Sequence, residues 1–185
     1  MKVNITEEIR QEILDTLNRD TAKEYFEKAA ALDNADALYG LGRLYLNKDF
    51  AENDPQKALG YLITAAQKGH SYAQYTLGKL FLKGEIVKQN VGYALRWLEE
   101  TVRQDNTDAQ CLLGKILLQG EVIEQDADRA AALLKKAVEN GSAYAAYLLG
   151  KAYLDGTALM QNVPEAIRLL TESAEKGFTP AEYML

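Results

Sequence analysis

The sequence predicts an all-α fold, a solenoid of four consecutive 36-residue helical repeats, and two observations carry that prediction. The triplets Leu41-Gly42-Arg43, Leu77-Gly78-Lys79, Leu113-Gly114-Lys115 and Leu149-Gly150-Lys151 recur at one fixed interval of 36 residues. Four further columns keep that step without insertion or deletion: Ala37, Ala73, Ala109, Ala145 and Ala181; Tyr39, Tyr75, Cys111, Tyr147 and Tyr183; Ala58, Ala94, Ala130 and Ala166; and Leu46, Leu82, Leu118 and Leu154.

At the N-terminus, Asn4 to Leu17 reads as an extra helix, with Thr6 as its cap, Glu7 and Glu8 in its first turn, and Ile5, Ile9 and Ile13 along one side. It has no Leu-Gly signature. We expect it to cap a half-unit from Thr21 to Asp36, because the ends of a repeat array need altered surfaces. Residues 1–36 are therefore read as a capping helix and half repeat. Full repeats follow at 37–72, 73–108, 109–144 and 145–180, and 181–185 begin a further one. The whole is expected to form one continuous solenoid domain.

Each repeat reads as two antiparallel helices. The first runs from about Ala73 to Lys83 in the second repeat, with Ala73, Leu77, Leu80 and Phe81 at helical spacing on one face. Gly84, Gly120 and Gly156 end it, as a left-handed C-cap requires. Lys48 takes that place in the first repeat, so an irregular end is expected there. A second helix begins near Pro55, Asp128 and Pro164, turns Leu59-Leu62, Leu95-Leu98 and Leu133-Leu134 inward, and closes at Lys68-Gly69, Asn140-Gly141 and Lys176-Gly177. Glycine inside a helix costs about 1 kcal/mol against alanine, so a glycine column in register points to close helix approach.

The bulk numbers narrow the function. The chain has 185 residues with 27 acids against 21 bases, a net charge of −6. Such a surface repels phosphate backbones, so nucleic acid is not expected as a partner. The single cysteine allows no internal disulfide framework. No run of about 18 apolar residues occurs and the first ten residues do not read as a signal peptide, which favours the cytoplasm.

No catalytic constellation is legible. His70 is the only histidine and reads as a solvated turn residue rather than a general base. Cys111, in a column of tyrosines, reads as a buried thiol. Asp126 and Asp128 resemble the start of a calcium loop, but its glycine and closing glutamate do not follow, so both read as solvent-facing acids. No metal, cofactor or enzymatic activity is expected.

The stretch Ala73-Gln74-Tyr75-Thr76-Leu77-Gly78-Lys79-Leu80-Phe81-Leu82-Lys83-Gly84, followed by Tyr93-Ala94-Leu95-Arg96-Trp97-Leu98, resembles the Sel1-like repeat family, as does the turn Ala66-Gln67-Lys68-Gly69-His70. The resemblance covers Ala37 to Pro180 and a half-unit before it. It implies a right-handed superhelix of helix pairs, tetratricopeptide-like but with a longer period, and a role as adaptor or scaffold. One branch of the family is rich in paired cysteines, and the lone Cys111 excludes it.

The residue after each Leu-Gly is always basic: Arg43, Lys79, Lys115 and Lys151. Helical spacing puts Tyr72 and Lys83 on the same face as Lys79, and Tyr144 on the same face as Lys151. In superhelices of this family type the first helices line the concave surface. The column would then be a row of cations beside tyrosines in a groove, suited to an acidic protein segment or a free C-terminus. Two other readings stay open: a regulatory or targeting segment of a larger bacterial protein, such as a mobilisation relaxase or signalling protein, and a module that self-associates end to end through its last, incomplete unit.

Overall fold

The computed structural model describes the backbone of residues 7–185 and the side chains from residue 18 onward. Among the described residues all regular structure is helical, and the protein divides into two compact units, Met1–Asn90 and Val91–Leu185. The first unit holds α1 (Glu7–Ala30), α2 (Ala35–Leu46), α3 (Pro55–Gln67) and α4 (Ser71–Lys83). The second holds α5 (Val91–Arg103), α6 (Thr107–Gln119), α7 (Ala127–Glu139), α8 (Ala143–Asp155), α9 (Val163–Glu175) and the short α10 (Thr179–Glu182). Within each unit every helix packs on the next, and in the second unit α6 also touches α8.

One boundary differs from expectation. The extra helix and the half-unit are one continuous element, α1, rather than a helix ending at Leu17 and another starting near Thr21. The physical reason lies in Asn18-Arg19-Asp20-Thr21, which contains neither glycine nor proline to break the backbone. The cap expected at Thr6 and the packing expected of Ile5, Ile9 and Ile13 lie outside the described residues.

The glycine column has the steric role its register suggests. A methyl group at Gly42 would sit 2.7 Å from Cγ of Leu62, and one at Gly114 would sit 2.8 Å from Cγ of Leu134. Both leucines are fully buried. The first helix of a repeat thus presses its backbone against a leucine of the second, which brings α2 onto α3 and α6 onto α7.

The loops are tied down by a repeating set of bonds. The Nε2 groups of Gln89, Gln125 and Gln161 donate to the carbonyls of Leu82 (2.8 Å), Leu118 (2.7 Å) and Leu154 (2.9 Å). The backbone N–H groups of Asn90, Asp126 and Asn162 donate to Phe81, Leu117 and Tyr153. These partners satisfy carbonyls that a helix end leaves without an intrahelical donor. Asp54, Asp126 and Asn162 then cap the following helix through their side chains.

The first loop is irregular, as the missing glycine implied. The backbone turns away at Asn47 in extended conformation, and Phe50 folds back to 3% exposure with its ring edge-on to Tyr45 at 5.6 Å. Asn53 Nδ2 donates to the Tyr45 carbonyl at 2.8 Å and takes over the glutamine's role.

The turn from second helix to first is also periodic. Asp33, Gly69, Asp105, Gly141 and Gly177 all have positive φ. Two aspartates occupy a left-handed position that elsewhere falls to glycine. Each is held by partners: Asp33 pairs with Lys68, and Asp105 accepts from Lys136 Nζ at 2.7 Å and from Gln110 Nε2 at 2.7 Å. Gln110 is itself fully buried, so its amide depends on such contacts.

Candidate functional site

The next residue along each turn begins a first helix. Asn34, His70, Asn106 and Ser142 are N-caps whose side chains accept the backbone N–H of Ala37, Ala73, Ala109 and Ala145. His70 is therefore not the solvated turn residue expected from sequence. Its Nδ1 accepts from Ala73 at 3.1 Å, its Nε2 lies 3.2 Å from Oδ1 of Asp36, and its side chain is only 11% exposed. Its ring stacks on Tyr39 with centroids 4.5 Å apart. The imidazole is occupied on both nitrogens and one face, which leaves it structural.

Cys111 is buried as expected, with Sγ 3.4 Å from Oγ of Ser142. Burial pushes its thiol above the ordinary range, the reverse of what a nucleophile needs. Asp126 is exposed and caps α7, accepting from Arg129 N–H at 3.0 Å. Asp128 is exposed in the first turn of that helix.

In the first unit, Arg43 and Lys79 are exposed on α2 and α4. The Arg43 guanidinium lies 5.9 Å from the ring centroid of Tyr39, and the Lys79 ammonium 5.1 Å from that of Tyr75. Each ring belongs to the residue four back along the same helix, so the tyrosine and cation columns of the sequence meet as pairs. Tyr72 is 52% exposed and its ring lies 6.3 Å from Tyr39. Lys83, in the last turn of α4, has its ammonium 3.9 Å from Oε1 of Glu85. A further groove of about 480 Å³ along α2 includes Phe26, Asp36, Tyr39 and Arg43.

In the second unit the structure brings Lys115, Tyr144 and Lys151 together. They line one open groove of about 540 Å³ on α6 and α8, with Leu118, Leu148 and Ala152 as apolar lining and Tyr147 beside them. Gln119, Gln125, Asp155 and Thr157 supply polar groups at its edge. Neither lysine joins an ion pair among the described residues. Tyr147 turns its ring to Phe178, 5.1 Å away. The groove thus combines two ammonium groups with tyrosine and aliphatic surface, a set that attracts carboxylates and buries apolar side chains. No helix among the described residues is long and apolar enough to cross a membrane.

Comparison with known proteins agrees with this architecture. The Sel1 repeat model matches five consecutive segments, 15–34, 35–70, 71–106, 107–142 and 143–178. Among solved structures, a Sel1 repeat protein from Oxalobacter formigenes is 24% identical with a TM-score of 0.83, over 95% of this chain and 73% of that one. A protective antigen of SLR fold from uropathogenic Escherichia coli strains is also 24% identical, with a TM-score of 0.81 over 86% of this chain. This chain spans about a third of that protein, 34% of its length. The cysteine-rich protein B of Helicobacter pylori matches 71% of this chain and 95% of its own, at 21% identity and a TM-score of 0.57. No curated protein matches at a significant level. With nearly its whole length matched in unbroken succession by one repeat model and its helix pairs folded in the same way, the chain belongs to the Sel1 repeat family.

Proposed function

We propose that the protein is a scaffold that binds a protein partner, and that the partner contributes an acidic segment or its own C-terminus to the basic, tyrosine-bearing faces of the first helices. In the first unit those faces carry Arg43, Tyr72, Lys79 and Lys83. In the second they carry Lys115, Tyr144 and Lys151. The observation that supports this most is the groove on α6 and α8, where two lysines without carboxylate partners among the described residues flank apolar surface in a protein whose net charge is −6. Sel1 repeats mediate protein interactions in general, which favours a binding role over catalysis.

The test is selection of displayed random peptides on the immobilised full-length protein. Enrichment of Asp- and Glu-bearing peptides, with capture weakened by salt and by charge reversal of the basic column, is the expected result. Enrichment of neutral or basic peptides, or capture that survives reversal of Arg43, Lys79, Lys115 and Lys151 together, would overturn the proposal.

A further inference from the structure

We propose that Asn140-Gly141 is a site of spontaneous deamidation controlled by the turn between α7 and α8, so that this pair ages at the rate at which the turn opens. The inference goes beyond the scaffold reading and does not depend on it.

Asparagine is a chemically labile residue, and Asn140 is the one asparagine of the sequence with glycine after it. The reaction is a ring closure. The backbone nitrogen of Gly141 gives up its proton to hydroxide and bonds to Cγ of Asn140, and the side-chain nitrogen leaves as ammonia. Water then adds to one of the two carbonyls of the five-membered imide and breaks that carbonyl's bond to nitrogen. The chain is left with an aspartyl link, or with an isoaspartyl link that runs through the side chain. A side chain on the following residue shields the attacking nitrogen, and glycine has none. The glycine itself serves the turn, because position 141 has a φ of 90° and Gly69 and Gly177 take the same left-handed conformation. At those two turns Lys68 and Lys176 precede the glycine, and neither can react in this way.

The folded turn holds the reacting atoms apart. Asn140 and Gly141 are both exposed, so water and hydroxide reach them. The Gly141 N–H donates to the Val138 carbonyl at 2.8 Å, which keeps its proton in place. Ring closure needs that nitrogen eclipsed with Cβ of Asn140. The ψ of 4° at Asn140 leaves it turned about 120° away, the angle that separates N from Cβ about Cα. The side-chain amide is held as well, with Nδ2 3.5 Å from Oδ1 of Asp105 and 3.4 Å from Oε1 of Gln110. Reaction therefore starts from a minor state in which the end of α7 has come undone, and its rate follows the population of that state.

The product does not fit the turn. An isoaspartyl link adds one carbon to the backbone just where two successive bonds close it, from Gly141 N–H to Val138 and from Ser142 N–H to Ala137 at 2.9 Å. Ser142 is the N-cap of α8 and touches Cys111 of α6. Either product also sets a new carboxylate beside that of Asp105, where Lys136 is the one cation paired with Asp105 among the described residues. Deamidation thus loosens α8 from α6 and α7, in a step that the loss of ammonia makes one-way.

The experiment ages the full-length protein in mildly alkaline buffer, with and without urea, and follows aspartate and isoaspartate at each asparagine by peptide mapping with mass spectrometry. In urea, where local sequence alone decides, Asn140 is expected to react first. In the native protein it should react measurably but about 10- to 100-fold more slowly than in urea. Ser142→Ala removes the α8 cap and should raise the native rate about three- to ten-fold in a protein that circular dichroism shows to be folded. Asn140→Lys, which copies the turns at Lys68 and Lys176, should abolish the product. Its Tm should then stay constant on ageing, while that of wild type falls as product accumulates. Equal rates at Asn140 in native and urea-unfolded wild type would overturn the inference. So would an earlier reaction at another asparagine in urea, or a native protein that stays unmodified while the unfolded chain reacts. A native rate that a folded Ser142→Ala variant leaves unchanged would overturn it equally, and the wild-type comparisons decide if that variant does not fold.

Discussion

The ring of Tyr39 stacks on that of His70 at an interplanar angle of 29°, 4.5 Å away and 31 residues earlier in the sequence. The same 31-residue step is a contact again at Cys111 and Ser142, and at Tyr147 and Phe178, whose tilted rings have centroids 5.1 Å apart. At these three places a first helix touches the residue that precedes the next first helix, so at His70 and Ser142 the cap is also an inter-repeat contact. His70→Asn should keep the cap, as Asn34 and Asn106 do, and lose the stack. We expect a loss of about 0.5–1.5 kcal/mol for that variant and about 1.5–2.5 kcal/mol for His70→Ala, measured by urea unfolding.

Gly114→Ala should destabilise the protein although alanine is the better helix former. The new methyl would meet Leu134 Cγ at 2.8 Å and the Ala130 carbonyl at 3.4 Å. Overpacking costs about 1–3 kcal/mol, against a propensity gain of about 1 kcal/mol. A net loss of up to about 2 kcal/mol in chemical denaturation is expected. Gly60, which has open space around it, should gain stability on the same substitution.

The two left-handed aspartates should part company when replaced by glycine. Asp33 has an exposed side chain and pairs with Lys68, so Asp33→Gly should relieve backbone strain and stabilise by about 0.5–1 kcal/mol. Asp105→Gly relieves the same strain but leaves the buried Gln110 amide without its acceptor, a loss of about 1–3 kcal/mol. A Tm that moves in opposite directions for the two variants is the expected reading.

Asp105 also carries a pH signature. The hydrogen bond from Lys136, with that from Gln110 after it, holds its carboxyl below the usual carboxylate range. A lowered folded value means that its contribution is present above the unfolded value of about 3.9 and is lost as pH falls through the folded one. Carboxyl NMR should show Asp105 titrating low, and Lys136→Met should move it upward.

Cys111 gives the opposite dependence. Burial favours its neutral thiol and pushes the folded value up. Its contribution is complete below the unfolded value of about 8.5 and is lost as pH rises through the folded one. The stability difference between wild type and Cys111→Ser should therefore shift against wild type between neutral and strongly alkaline pH. An aromatic disulfide reagent at neutral pH should label the native protein far more slowly than the unfolded one.

Much of the fold is legible in the sequence because the period is uninterrupted. Gly84, Gly120 and Gly156 cap their helices in the left-handed conformation, and Gly42, Gly114 and Gly150 of the glycine column meet leucines. What periodicity does not display are relations made by loop closure. The burial of His70 depends on Tyr39 from the preceding first helix, 31 residues away, a spacing beyond the reach of helical periodicity within one element. The continuity of α1 is set by the absence of a breaker between Leu17 and Thr21, which the pattern of apolar side chains does not record. At the candidate site the basic column is plain in the sequence, whereas the bringing together of Lys115 and Lys151 on one groove between α6 and α8 is not, because it depends on how neighbouring helices pack.

The glutamine clips carry a consequence for how such a protein changes over time. Gln89, Gln125 and Gln161 each reach back seven residues, from a loop to the end of the helix that precedes it. Donor, acceptor and loop therefore travel together in any duplicated or deleted block of 36 residues. A recombination event that adds or removes such a block brings its own fastening and leaves no loop to be re-invented. The length of the array can thus vary in whole steps, and the stretch of DNA that is copied has the same size as the piece of protein that holds itself closed.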